Sequence, residues 1–187
     1  MSFFYSNFML ELLIICPMKK KSLPVILFLL LFVLILNSCT KQEKFPVEPH
    51  IEYISFTKIQ NSSAIDDKGV LKISFTDGDG DIGLSDGDTI APYDKTSIYY
   101  YNFFITYYEK QHGQFVEVTP AVTFNSRIPI INISGTNKAT RGEIEIEMYF
   151  NNPFSVYDTI KFYASIADRN LHVSNIISVP EIIVKKH

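Results

Sequence analysis

Val70-Leu71-Lys72-Ile73-Ser74-Phe75-Thr76 runs without a break into Asp77-Gly78-Asp79-Gly80-Asp81-Ile82-Gly83. The first half sets Leu71, Ile73 and Phe75 on one face and Lys72, Ser74 and Thr76 on the other. Successive side chains of a strand point to opposite faces, so this period of two predicts a half-buried strand. The second half places three carboxylates at alternate positions with glycine between them, which ends the strand in a loop. Asp86 and Asp88 follow, and no basic residue answers these charges until Lys95.

The same alternation recurs downstream. Glu143 to Phe150 sets Ile144, Ile146, Met148 and Phe150 against Glu143, Glu145, Glu147 and Tyr149, and Thr159 to Ala167 turns Ile160, Phe162, Ala164 and Ile166 inward. Ile98 to Glu109 reads as one long aromatic strand. Lys110-Gln111-His112-Gly113 is a tight turn, and Gln114 to Val118 returns as its hairpin partner. Ile51 to Ile59 alternates imperfectly, which predicts a bulge or an edge position. Asp66-Asp67-Lys68-Gly69 reads as a turn. Arg127 to Ser134 and Ser174 to Val184 read as edge strands, because Pro129 and Pro180 cannot donate to a central ladder. Seven to eight short strands with turn signals and no convincing helix predict an all-β fold, an antiparallel immunoglobulin-like β-sandwich over 51–187; a jelly roll or small barrel is the alternative.

Upstream the chain changes character. The 187 residues are 47% hydrophobic and 20% charged, and mean hydropathy is +0.09 because much of the apolar content lies in the first forty residues. Met18-Lys19-Lys20-Lys21 is a basic start, and Leu23 to Leu36 is an apolar run ending at Asn37-Ser38-Cys39. About 14 residues make a helix of only ~21 Å, short of the ~30 Å hydrocarbon core of a bilayer. This is the pattern of a secretory signal over 1–38 with translation starting at Met18; a first hydrophobic helix from Phe3 to Cys16 is the alternative.

Leu36-Asn37-Ser38-Cys39 resembles the lipobox of bacterial lipoproteins. The resemblance implies cleavage before Cys39, acylation of that residue and a membrane anchor. Thr40 to His50, polar with two prolines, then reads as a tether, so that 39–50 is a lipidated linker. Thr40 in place of an aspartate implies the outer membrane rather than the inner. With Cys39 committed to lipid, the folded body has no thiol for a disulfide, a metal thiolate or a nucleophile. The longer match Ile73 to Leu84, taken with the lipobox and the tether, resembles a group of small Bacteroidota-type lipoproteins and implies an envelope location and a β domain, without an activity.

Charge narrows the partners. The chain carries −3 overall, from 17 Lys and Arg against 20 Asp and Glu. Lys19, Lys20, Lys21 and Glu11 precede residue 39, which leaves the body at −5. Without a basic patch, binding by charge to nucleic acid or to anionic lipid is not expected.

Asp77, Asp79 and Asp81 resemble the opening of a calcium loop. Ca²⁺ takes six to eight oxygens, and alternate short carboxylates curled round one point supply several. Counted from Asp77, the sixth and twelfth positions are Ile82 and Asp88 instead of the EF-hand's glycine and glutamate, and no helix flanks the loop. The pattern therefore predicts a strand-end acidic loop with Asp77, Asp79, Asp81, Asp86 and Asp88 as candidate Ca²⁺ ligands. In an immunoglobulin-like sandwich the loop after the second strand and the loop before the last share one end, which adds Asp168. The competing reading is a solvated glycine-rich turn with Asx caps. Tyr99, Tyr100 and Tyr101 are candidate ligand contacts that could stack on sugar rings or anchor a protein, with packing inside the sheet as the competing reading.

His50, His112, His172 and His187 are scattered, and no nucleophile elbow or phosphate loop is present. The sequence thus predicts a non-enzymatic, lipid-anchored cell-envelope β-sandwich. Its expected role is binding or scaffolding, with an envelope protein or glycan as the partner. A glycan-binding module using exposed tyrosines and a hydrolase accessory domain are the alternatives.

Overall fold

A computed structural model describes residues 44–131 and 138–186. The proposed signal segment and Cys39 lie outside the described residues. So does part of the expected strand over 127–134. The described residues fall within one compact unit, Glu43–His187. Among them no helix is long and apolar enough to cross a membrane.

Eight strands form: β1 (His50–Gln60), β2 (Asp66–Asp77), β3 (Phe103–Gln111), β4 (Gln114–Glu117), β5 (Thr140–Tyr149), β6 (Thr159–Ile166), β7 (Ile177–Ser178) and β8 (Ile182–Ile183). They make two antiparallel sheets. One has the order β1-β2-β5; the other runs β4-β3-β6-β7, with β8 also on β6. This all-β arrangement is an immunoglobulin-like sandwich, with β2 central in one sheet and β6 between β3 and the last strands of the other.

The alternation of β2 and β6 is what closes the core. Leu71, Ile73 and Phe75 face Ile160, Phe162, Ala164 and Ile166 in one buried cluster, joined by Phe103, Tyr107 and Phe150. Phe162 packs its ring against Phe56, Tyr107 and Phe124 at centroid distances of 5.4 to 5.9 Å. Gly69 leaves the space that the Phe56 ring fills, since a Cβ there would lie 2.1 Å from that ring. The irregularity expected in the first strand appears as a register shift between Tyr53 and Ser55, on an edge strand.

Four sequence readings are corrected. Asp66 to Gly69 is not a turn but the start of β2. The buried Asp66 carboxylate accepts from Lys58 Nζ at 2.6 Å, Gln60 Nε2 at 3.1 Å and the Lys185 amide at 2.8 Å, which fixes the backbone there as strand. The aromatic strand starts at Phe103 rather than Ile98. Ile98–Tyr100 is a 3-10 turn, capped by the Ser97 hydroxyl accepting from the Tyr99 amide. Within 127–131 only an isolated bridge forms, Leu84 with Pro129. There the Asn102 side chain takes the ladder bonds of Ile128, accepting from its amide at 2.6 Å and donating to its carbonyl at 3.2 Å. The last strand is two short pieces, β7 and β8, parted at Pro180, which has no amide to donate.

Candidate metal centre

β2 and β6 end on the same side of the sandwich, and each delivers a carboxylate there. Asp77 is the last residue of β2, and Asp168 follows β6 by two residues. Asp77, Asp79, Asp81 and Asp168 each place one oxygen within 4.8 Å of the others. Gly80, at φ 68°, supplies the left-handed turn that curls Asp79 and Asp81 back toward Asp77. The Asp81 amide then donates to Asp77 Oδ2 at 3.0 Å, which closes the curl.

Asp77 is fully buried and Asp168 nearly so, whereas Asp79 and Asp81 are half-buried. Asp77 Oδ1, Asp79 Oδ1 and Asp81 Oδ1 are buried atoms with no hydrogen-bond partner. Buried polar atoms are normally satisfied, because burial without a partner costs roughly 1–3 kcal/mol each. Three orphaned carboxylate oxygens in one cluster lack the donor that a cation would replace. Burial, then the charge of Asp79, pushes the Asp77 carboxyl up to about 6. Burial, then the charge of Asp168, pushes Asp81 up to about 7.

The surroundings hold the ligands in place. The His172 amide donates to Asp168 Oδ1 at 2.8 Å, and His172 Nδ1 lies 2.8 Å from Asp168 Oδ2. That carboxylate raises the His172 pKa. Asn170 Nδ2 donates to Asp79 Oδ2 at 3.3 Å. Orientation of a ligating carboxylate by a neighbouring donor is a common support for metal sites.

The other candidates stand elsewhere. Asp88 turns away into a bidentate pair with Arg169, at 2.6 and 3.2 Å, and its carboxyl is held well below the usual carboxylate range by that contact and by the Ser85 amide. Asp86 is exposed and outside the cluster. Tyr99, Tyr100 and Tyr101 are half-buried. Tyr100 and Tyr101 meet edge to face at 79°, and Arg127 covers the Tyr100 ring at 5.0 Å. They do not form a flat stacking platform.

Arg127 and Arg169 escaped the sequence reading. Arg127 donates to the Ser85, Asp88 and Tyr100 carbonyls. Arg169 holds Asp88, and the Tyr93 hydroxyl donates to its carbonyl. Together they tie the long β2–β3 connection to the segment at Arg127 and to the turn that carries Asp168. The available signal was the Asp-Arg-Asn turn itself, a lone arginine next to an acidic loop.

Asp77, Asp79, Asp81 and Asp168 together form an all-oxygen donor set that could hold a hard metal ion. Comparison with known protein families, curated proteins and solved structures finds no match, so the site is read from its own residues.

Proposed function

We propose that this chain is a lipid-anchored binding or scaffolding module of the cell envelope, held at the outer membrane through Cys39, whose loop end is stiffened by Ca²⁺ at Asp77, Asp79, Asp81 and Asp168. The observation that carries the reading is the convergence of these four carboxylates with three orphaned, buried oxygens. Four carboxylates crowded round one point make a cation cage rather than the two opposed groups that flank a glycosidic bond. This arrangement supports the binding reading. The lipobox-like Leu36-Asn37-Ser38-Cys39 and the polar tether support the anchoring.

Thermal unfolding of the full chain tests the ion. At Ca²⁺ about 100-fold above Kd the midpoint should rise by roughly 5–10 °C over the chelated protein, with a smaller rise in Mg²⁺. Asp79→Ala should abolish the gain. An equal midpoint with and without Ca²⁺, or an undiminished gain in Asp79→Ala, sinks the calcium assignment. For the anchor, cells fed a clickable palmitate should label the wild type and not Cys39→Ala. Equal labelling of both would remove Cys39 from the acylation site.

A further inference from the structure

We propose that the carboxylate end of the sandwich docks on an anionic phospholipid surface: lipid phosphate oxygens complete the shell of the bound Ca²⁺, and Ile90 and Ile98 enter the headgroup region. This rests on the calcium and anchor readings above and names the partner they serve.

The path of the chain selects this end. The Phe45 and Pro46 carbonyls lie directly over the acidic loop, so close that a Cβ on Gly78 would come within 2.4 and 2.5 Å of them. The domain is thus entered across the loop that carries the ligands. Four residues separate Lys44 from Cys39, and the five steps between them reach at most about 18 Å when extended. An acylated Cys39 keeps the carboxylate end within that reach of the headgroups. The opposite end is farther by the length of β2, whose 12 residues span about 40 Å.

The same end carries bare apolar side chains. Ile90 is 77% exposed and Ile98 74%. Asp88 and Tyr93, on either side of Ile90, both bind Arg169. Tyr100, two residues past Ile98, is held by Arg127. Ile90 therefore stands on a stretch tied to the turn that carries Asp168, and Ile98 on the stretch of the same connection tied to Arg127. Phe154 and Val156 are just as exposed, in the β5–β6 connection. Val122 and Ile176 are comparably exposed, so exposure alone does not choose among them; the path of the chain does.

Within the cluster Asp77 and Asp168 are buried, and Asp79 and Asp81 are half-buried. One oxygen from each of four carboxylates leaves two to four of the ion's positions unfilled. Phosphate oxygens of a membrane surface fit those positions. Without the ion, the same carboxylates repel an anionic surface, so docking requires Ca²⁺.

The chain has no tryptophan, so Ile98→Trp, or the same reporter at Ile90, creates a single indole. The full-length variant is reconstituted with vesicles of brominated phosphatidylcholine alone or mixed with phosphatidylglycerol. Ca²⁺ should quench the indole roughly twofold on the phosphatidylglycerol vesicles, chelator should restore it, and phosphatidylcholine alone should give little. Phe154→Trp should not respond. Ile90→Asp placed in the Ile98→Trp background should weaken the quenching while leaving the Ca²⁺-induced rise in midpoint. A rise in midpoint without quenching overturns the docking and leaves the calcium site standing; neither signal overturns both. Quenching that persists in chelator, or at Phe154→Trp instead, overturns the ion-dependent docking of this end. So does protection by soluble glycerol phosphate without vesicles, which would assign the site to a free phosphate.

Discussion

Asp81 and Asp88 sit seven positions apart in one loop and titrate in opposite directions. Asp88 gains a bidentate partner in Arg169 and is held ionised, whereas burial and the charge of Asp168 push Asp81 up to about 7. Asp77 rises to about 6 through burial and the charge of Asp79. A raised carboxyl binds more protons folded than unfolded. Its contribution to stability is therefore complete below the ordinary carboxylate value near 3.8 and is lost as pH rises through 6 and 7. In chelator, the midpoint of the wild type relative to Asp81→Asn should fall between pH 4 and pH 8. Ca²⁺ competes with those protons, so saturating ion should flatten the fall, and binding near pH 6.5 should release protons. Calorimetry in two buffers of different ionisation enthalpy counts them. A difference that rises with pH in chelator contradicts the burial of Asp81 as described.

Past the Leu84–Pro129 bridge, the β2–β3 connection is tied down by arginines, and this is its weak point as an element. Arg169 and Asp88 are partly exposed, at 36% and 17% of their side chains, so solvent screens the pair. A double-mutant cycle of Arg169→Ala and Asp88→Ala should give a coupling of about 1 kcal/mol. The local effect should be larger than the global one: amide exchange over 85–100 should quicken in Arg169→Ala while the β6 amides stay protected. Equal acceleration in both places would mean that the connection and the sheets open together. β2, β5 and β6 could be read from alternation because each buries one face. The meeting of Asp77 with Asp168 followed from counting which loops share an end. The pairing of Arg169 with Asp88 spans 81 residues and leaves no local period, so the sequence alone left Asp88 among the ligands. Tyr99 to Tyr101 misled because aromatic residues favour strands, whereas here the Ser97 cap and the Arg127 contacts bend that segment into a turn.

Across the molecule, the four carboxylates join two sheets that at this end also meet through the Asn175 side chain, which accepts from the Ile51 amide and donates to its carbonyl, and through the Arg169 amide, which donates to the Asp81 carbonyl. Asp77, Asp79 and Asp81 come from the end of β2, and Asp168 comes from the end of β6 in the other sheet. A bound ion is therefore a clamp between sheets. Without it, the same residues are a source of repulsion that pushes the sheets apart. Removing one charge from either side should have two opposite effects. Asp77→Asn and Asp168→Asn keep an amide oxygen to accept the Asp81 and His172 amide bonds respectively, so the local turns survive. In chelator, each variant should melt at or above the wild-type midpoint, because like-charge repulsion is relieved. In saturating Ca²⁺, each should melt below it, and the double variant should lose little more than either single one, since one ion is lost only once. A loss specific to Asp77→Asn, with Asp168→Asn responding to Ca²⁺ as the wild type does, would confine the ion to the β2 loop and remove the clamp. Additive losses would mean that the two carboxylates act separately and share no ion.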